Sequence, residues 1–139
     1  MRGREASAYY YTLLCNNENV ELRYNYIYSL FENNDYYLVI DECEIAEELY
    51  PKHSRFLKIK ANAYKELEDN ENYSLTLSSI LALEPYNEEI LNLYIDSLLL
   101  LGEKEEAITT SYEALSLFPE NKKAISVLSE ISEFYESLL

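Results

Sequence analysis

The sequence lacks tryptophan and contains one histidine, two glycines, three prolines and two cysteines among 139 residues. Two glycines cannot build a glycine-rich phosphate-binding loop. His53 has no nucleophile–acid motif around it and no cysteine partners at metal-ligand spacing. No catalytic residue, metal site or cofactor is therefore expected. Cys15 and Cys43 fall on apolar positions of predicted helices, which indicates buried thiols in a reducing compartment.

Basic residues and long apolar runs are also scarce. The chain has 11 Lys and Arg against 26 Asp and Glu, a formal net charge of −15. Such an acidic chain repels phosphate groups, so neither nucleic acid nor an anionic membrane is expected as a partner. No run approaches the roughly 18 apolar residues that a membrane span needs. No apolar signal segment follows the basic start at residues 1–4, so a cytoplasmic location is expected.

The residues that are present favour helices. Leu, Glu, Ile and Ser are frequent while helix breakers are few. Apolar residues recur at intervals of three and four between short polar breaks, which is typical of amphipathic helices. The predicted helices are 4–15, 20–32, 36–50, 54–67, 73–83, 88–101, a helix between Gly102 and Phe118, and 122–139.

A period of 34 residues organises these helices. The only three prolines lie 34 residues apart, at Pro51, Pro85 and Pro119. Two residues after each proline or its equivalent comes a predicted helix N-cap, namely Asn19, His53, Asn87 and Asn121. A period of this length predicts stacked pairs of antiparallel helices, because one pair cannot bury its apolar face by itself.

The periodicity also predicts which side chains face the core. These are Leu22, Tyr26, Ile27, Leu30, Val39, Ile40, Cys43, Ala46, Leu49, Leu57, Ala61, Tyr64, Leu77, Ile80, Leu81, Ile125, Leu128 and Ile131. Ser129 and Ser132 replace apolar residues on the last helix, as expected of a helix that closes the stack.

With these residues the sequence resembles the tetratricopeptide repeat (TPR) family. The third repeat matches the family best, at Leu91, Tyr94, Leu98, Gly102, Ala107, Ala114 and Pro119. The first repeat matches it at Ile27, Leu30, Asn34, Val39, Ala46 and Pro51. The second departs from it, since Tyr73 and Ile80 stand where the family prefers alanine. The family's aromatic residue at the fourth place of the repeat is replaced by Arg23, Leu57 and Leu91.

The resemblance implies an all-α fold, a right-handed α–α superhelix (TPR solenoid) of about eight antiparallel helices. One domain would span residues 1–139. Its parts would be an N-terminal half-repeat at 1–19, repeats at 20–53, 54–87 and 88–121, and a C-terminal capping helix at 122–139.

The resemblance also implies a concave groove lined by the first helix of each pair. Its partner-binding residues would be Tyr24, Tyr28, Phe31, Arg55, Lys58, Asn62, Lys65, Asn92, Asp96 and Lys123. Some family members clamp the C-terminal carboxylate of chaperone tails, and Lys58, Asn62 and Lys123 match three of the five clamp positions. Leu93 and Val127 do not match the other two.

The basic second repeat has two interpretations. Five of the eleven basic residues lie between Lys52 and Lys65, and Arg55, Lys58, Asn62 and Lys65 share one helix face. They form either a solvated face paired with acids of adjacent helices, or a cationic strip for an acidic or carboxylate-ended peptide. Tyr24 and Tyr28, with Phe31, are either aromatic anchors for a partner or partly buried against the preceding helix.

The expected function is that of a non-enzymatic protein-interaction module which binds a partner peptide or helix in the groove. The alternative is a structural scaffold, or a fragment of a longer array, that self-associates through its end helices and forms a homodimer. The tyrosines at 9–11 and the apolar tail at 134–139 motivate the alternative.

Overall fold

The computed structural model describes the backbone of residues 2–139 and the side chains of residues 4–139. Met1, at which the predicted half-repeat 1–19 begins, lies outside the described residues. The described part consists of eight α-helices joined by short turns. They are α1 (Arg2–Asn16), α2 (Val20–Glu32), α3 (Tyr36–Leu49), α4 (Ser54–Glu66), α5 (Asn70–Leu83), α6 (Glu88–Leu100), α7 (Lys104–Leu117) and α8 (Lys122–Ser137). The predicted all-α class is confirmed.

Helix α5 begins earlier than the sequence pattern predicts, at Asn70 instead of Tyr73. The Asp69 carboxylate accepts hydrogen bonds from the Asn72 backbone N–H at 3.2 Å and from Asn72 Nδ2 at 2.8 Å. An acceptor at this place satisfies a donor that the first helical turn leaves open. The segment interpreted as a polar turn therefore contains the start signal of the helix.

The asparagine caps are confirmed. The side chains of Asn19, Asn87 and Asn121 accept hydrogen bonds from backbone N–H groups three residues ahead, at 2.9, 3.1 and 2.8 Å. His53 occupies the same place before α4 with extended backbone angles, but its side chain makes no capping hydrogen bond. Helix α4 is thus positioned like the others but lacks their side-chain cap.

The turns inside the helix pairs share one backbone feature. Asn34, Glu68 and Gly102 have φ values of 63°, 58° and 78°, in the left-handed region. Asn and Gly tolerate this region, whereas a glutamate there costs roughly 1–2 kcal/mol. The three positions are spaced by the 34-residue period.

The chain divides into two compact units, Met1–Ser79 and Ile80–Leu139. In the first unit, residues of α1 to α4 share one apolar core. Phe56 is fully buried there, and its ring stacks on Tyr50 with 5.9 Å between centroids. Ile59 and Ala63 join the same core, so α4 is buried over a wider arc than its predicted face of Leu57, Ala61 and Tyr64.

In the second unit, α7 packs against both α6 and α8. Its core contains Leu91, Ile95, Ala114, Ala124 and Val127. Ala114 and Ala124 are fully buried, and their small side chains let the helix backbones approach closely.

Three predicted core positions are wrong. Cys15 is exposed, and Leu49 and Ile125 are 48% and 46% exposed. Successive residues of a helix are about 100° apart around its axis. Each of these three residues therefore lies about 60° to 100° from the nearest buried residue of its helix. Of the other predicted core residues, those described as buried include Tyr26, Ile27, Val39 and Cys43. No helix in the described part of the chain combines the length and the apolar character that a bilayer span requires.

Candidate functional site

Three of the predicted site residues come together on the face of the first unit where α2 and α4 pack against each other. Tyr24 and Tyr28 lie one turn apart on α2, with ring centroids 6.1 Å apart and planes 22° apart. The Arg55 guanidinium carbon lies 4.0 Å from the centroid of the Tyr24 ring. Tyr24 in turn meets the buried Phe56 edge-on at 6.2 Å. We call Tyr24, Tyr28 and Arg55 the platform, and its orientation is fixed by the core below it.

The platform carries a cation that is oriented but only weakly held. Arg55 Nη1 donates to Glu21 Oε1 at 2.7 Å, and the Glu21 side chain is 72% exposed. An exposed ion pair contributes about 0–1 kcal/mol, and a cation–π contact at a surface contributes about as much. The Arg55 guanidinium can therefore exchange Glu21 for another carboxylate at small cost while its stacking on Tyr24 is retained.

The remaining predicted residues of this face are more dispersed. Phe31 turns toward Tyr36, 5.3 Å between centroids, and packs against the core. Lys58 is half-buried and has a partner within the chain. Asn62 and Lys65 are exposed farther along α4. The structure thus joins the tyrosines to Arg55 and assigns Phe31 mainly to packing.

The predicted site residues of the second unit form an ion pair with one another or a hydrogen bond with the N-cap residue of α8. Lys123 Nζ lies 2.8 Å from Asp96 Oδ1, which ties α8 to α6. Asn121 Nδ2 donates to Asn92 Oδ1 at 2.9 Å and to Glu88 Oε2 at 2.8 Å. Asn121 itself is buried, so Asn92 completes the hydrogen bonding of a buried amide.

Pairing with acids of neighbouring helices therefore accounts for several of the basic residues. Arg55 meets Glu21 of α2, Lys60 meets Glu47 of α3 at 3.0 Å, and Lys123 meets Asp96 of α6. Of these cations Lys60 is the most enclosed, with its side chain 14% exposed. Arg55 differs from Lys60 because its partner is an exposed side chain on the open face.

An ion-pair network that the sequence analysis missed lies in the first unit. Arg23 of α2 is buried, and its Nη1 donates to Glu42 Oε2 at 2.7 Å. Its Nη2 and Nε donate to the carboxylate of Glu18. Tyr50, which follows α3, donates through its hydroxyl to Glu18 Oε2 at 2.9 Å. Through these bonds the network connects the segment between α1 and α2 with α2, with α3 and with Tyr50, directly after α3.

The pKa values of the two acids in this network, Glu42 and Glu18, are shifted in opposite directions by burial and pairing. Burial raises the pKa of Glu42 and outweighs the attraction of the Arg23 guanidinium. At Glu18, partial burial acts to raise the pKa, but the hydrogen bonds from Arg23 and Tyr50 outweigh it and the pKa lies below its ordinary value. The sequence contains one sign of this network, since Arg23 stands where the resembled family has an aromatic residue.

The chemistry of the described residues offers few reactive groups. They include no cluster of three or more His, Cys, Asp or Glu side chains that could hold a metal ion. Burial raises the pKa of the Cys43 thiol, which keeps it protonated near neutral pH. What the α2–α4 face can do is hold a carboxylate beside a flat aromatic surface.

No family model matches the sequence, and no curated protein sequence matches it. Solved structures do match the fold. MamA, from residue 41 to its end, of Desulfovibrio magneticus RS-1 shares 17% identity, covering 97% of this chain and 86% of its own, with a TM-score of 0.69. The first TPR of Spaghetti (RPAP3), bound to an HSP90 peptide, shares 20% identity over 83% of this chain and 91% of its own, with a TM-score of 0.61. The Arabidopsis OM64 TPR domain shares 16% identity over 95% of this chain and 98% of its own, with a TM-score of 0.59.

Identities of 16% to 20% establish a fold and leave the function to be argued from the residues. The matches extend over most of the chain, and the helix pairs, caps and left-handed turns recur with the period that the sequence predicts. The chain has the tetratricopeptide repeat fold.

Proposed function

We propose that the chain is a non-enzymatic, cytoplasmic protein-interaction module that binds a peptide or helix of a partner protein at the α2–α4 face. The preferred ligand is an acidic or carboxylate-ended segment. The observation that carries the proposal is the platform, in which Arg55 lies over Tyr24 beside the half-exposed Tyr28. We further propose that residues 1–139 act as one TPR domain with the repeat bounds predicted from the sequence.

The platform offers two kinds of contact to such a segment. A carboxylate of the ligand replaces Glu21 at the Arg55 guanidinium, which presents its N–H groups in a planar fork suited to carboxylates. An apolar side chain of the ligand lies on Tyr28, which is 47% exposed and held by its stacking on Tyr24. Tyrosine provides a large contact area at a low entropic cost, which is why it is common at binding hot spots.

The fold neighbours support the ligand class without fixing its identity. The first TPR of Spaghetti is bound to the peptide SRMEEVD, and the second TPR of human RPAP3 to the peptide SGPTIEEVD. Both peptides end in an acidic sequence. In this chain Val127 is buried and Leu93 is half-buried, so two positions of the chaperone-tail clamp carry apolar packing residues. We therefore propose acidic segments as a class, and not that tail in particular.

The proposal is tested by titrating fluorescein-labelled acidic peptides, SRMEEVD and its C-terminal amide among them, against the chain in fluorescence anisotropy. We expect Arg55→Glu/Lys58→Glu to weaken binding at least about tenfold, because a lost charge-assisted hydrogen bond costs about 1.5–3 kcal/mol and the reversal adds repulsion.

The matched control is Lys104→Glu/Lys122→Glu, which makes the same change of net charge at exposed lysines elsewhere. The proposal fails if the Arg55/Lys58 variant binds as the wild type does, or if the control loses as much affinity. Comparison of the acid with the amide shows whether the terminal carboxylate takes part.

The alternative function, a scaffold that self-associates through its end helices, has one specific observation in its favour. Phe134 and Tyr135 of α8 and Leu138, which follows it, are 60% to 66% exposed and continue the stripe whose earlier members, Ala124 and Val127, are buried. Analytical ultracentrifugation of the wild type and of Phe134→Ser/Leu138→Ser tests it. A wild type that stays monomeric at high concentration rules this alternative out.

A further inference from the structure

The platform already holds a carboxylate of its own chain, that of Glu21. Arg55 Nη1 donates a hydrogen bond to Glu21 Oε1 at 2.7 Å, while the guanidinium carbon lies 4.0 Å from the centroid of the Tyr24 ring. The ring covers the guanidinium from one side, and the N–H groups of the guanidinium serve carboxylates. A ligand carboxylate at Nη1 takes the donor that Glu21 uses. At the other nitrogens it meets a guanidinium whose charge Glu21 already offsets.

The pairing of Glu21 with Arg55 follows from the 34-residue period. The two residues are 34 positions apart, and each is the second residue of its helix, since α2 begins at Val20 and α4 at Ser54. These two helices pack against each other, so that residues at the same place of the two repeats lie side by side. Glu21 also lies three residues before Tyr24, which puts both on one face of α2. The backbone therefore keeps the Glu21 carboxylate within reach of the platform.

The two members of the pair differ in how firmly they are held. The Arg55 side chain is 35% exposed and rests on Tyr24, whereas the Glu21 side chain is 72% exposed. Glu21 can thus rotate into water while Arg55 stays in place. The Lys60–Glu47 pair is more enclosed, with side chains 14% and 31% exposed, and opens less readily. An exposed pair such as Arg55–Glu21 shifts an equilibrium by up to about fivefold.

We propose that Glu21 is an internal competitor for the Arg55 guanidinium and determines how strongly the platform prefers acidic ligands. This inference rests on the proposed function of the platform and adds its regulation. A tethered group competes at a fixed effective concentration, so Glu21 weakens every ligand that uses Arg55 by the same factor. A ligand that lies only on the Tyr28 ring does not displace Glu21 and is not weakened. An acidic segment must therefore gain further contacts, such as one to Tyr28, in order to compete.

The experiment compares the affinity of fluorescein-labelled SRMEEVD for the wild type and for Glu21→Gln by fluorescence anisotropy. We expect Glu21→Gln to lower the Kd about two- to fivefold, because the peptide no longer has to break the exposed pair. Binding should also depend more steeply on salt, since the peptide then meets an Arg55 charge that no carboxylate of Glu21 offsets. The acid-free analogue SRMQQVN amide should bind Glu21→Gln no more tightly than the wild type.

Two matched variants separate the pair from the overall charge of the chain. Glu71→Gln removes an exposed acid from the same place in α5, its second residue, and should leave the Kd unchanged. In an Arg55→Met background there is no guanidinium to release, so the addition of Glu21→Gln should give no gain in affinity. Glu21 and Glu71 are both exposed, so these substitutions should leave the fold intact, which circular dichroism checks.

The results distinguish this inference from the proposed function. If Arg55→Met weakens the binding of SRMEEVD but the wild type and Glu21→Gln share one Kd, the competitor is overturned and the platform stands. An equal gain in Glu71→Gln, or in the Arg55→Met background, would assign the effect to overall charge and would also overturn the competitor. If the peptide binds neither the wild type nor Glu21→Gln, the platform and the competitor fail together.

Discussion

Replacing the buried Arg23 by methionine should lower the folding stability of the first unit considerably. The substitution removes the partner of Glu42, whose side chain is 17% exposed, and of Glu18, whose side chain is 35% exposed. Breaking a buried ion pair from one side costs about 3–5 kcal/mol, because a charge is left without compensation. Glu18 can turn toward water and keeps its bond from Tyr50, so we expect a loss near the lower end, about 3 kcal/mol.

The loss should depend on pH with a definite sign. In Arg23→Met, burial still raises the pKa of Glu42, and the attraction that opposed this rise is gone. The folded state then binds a proton at a higher pH than the unfolded state, so stability is regained as pH falls through the raised pKa. Glu18 acts oppositely in the wild type, because its lowered pKa gives stability that is present above the ordinary value and is lost as pH falls. The cost of Arg23→Met should therefore be smaller at pH 5 than at pH 7.5.

Urea unfolding followed by circular dichroism at the two pH values measures these losses, with hydrogen exchange of α1 to α3 as a local readout. Arg23→Met/Glu42→Gln should recover about half of the loss, since the buried charge is gone. Arg55→Met, which breaks an exposed pair, should cost less than about 1 kcal/mol. An Arg23→Met variant that loses no more stability than Arg55→Met, or a double variant no more stable than Arg23→Met, would contradict the expected cost of leaving Glu42 without its partner.

Three further predictions concern the turns, the caps and the thiols. Glu68→Gly should stabilise the fold by about 0.5–1 kcal/mol in thermal unfolding, because Glu68 has a left-handed φ that glycine adopts without strain. Gly102→Ala should destabilise it by about 1 kcal/mol. This cost comes from the left-handed φ alone, because an added Cβ at Gly102 meets no atom within 4 Å. Asn121→Ala should cost about 2 kcal/mol in urea unfolding, because a buried cap and its two amide hydrogen bonds are lost together. Cys15 should react with iodoacetamide at pH 8 and Cys43 should not until the chain unfolds, as mass spectrometry would show.

The helices could be predicted from the sequence because local signals agree with the period. The asparagine caps, the prolines and the apolar spacing all point to the same helix starts and ends. The start of α5 was missed because Asp69 caps the helix from inside a run of polar residues, which looks like a turn. Cys15 and Leu49 were placed in the core because apolar spacing identifies a helix face only to within about one residue of its edge.

The candidate site was predicted less completely. Tyr24, Tyr28 and Arg55 were predicted to share one open face, since the resemblance to TPR proteins indicates which helix faces are open, and the structure places them side by side. Their mutual stacking and the pairing of Arg55 with Glu21 depend on side-chain rotamers, which no spacing encodes. The burial of Arg23 was missed because its partners, Glu18 and Glu42, come from segments that only the tertiary fold brings together.

The three left-handed turn residues differ completely in chemistry, an amide at Asn34, a carboxylate at Glu68 and no side chain at Gly102. The backbone conformation is nevertheless the same, so at these places of the described chain the packed helices impose the turn, and the side chain does not specify it. A helical repeat built in this way can therefore carry different residues at its turn positions and keep the same backbone conformation. The 34-residue spacing of the left-handed turns therefore marks this fold more reliably than the residues at those turns do.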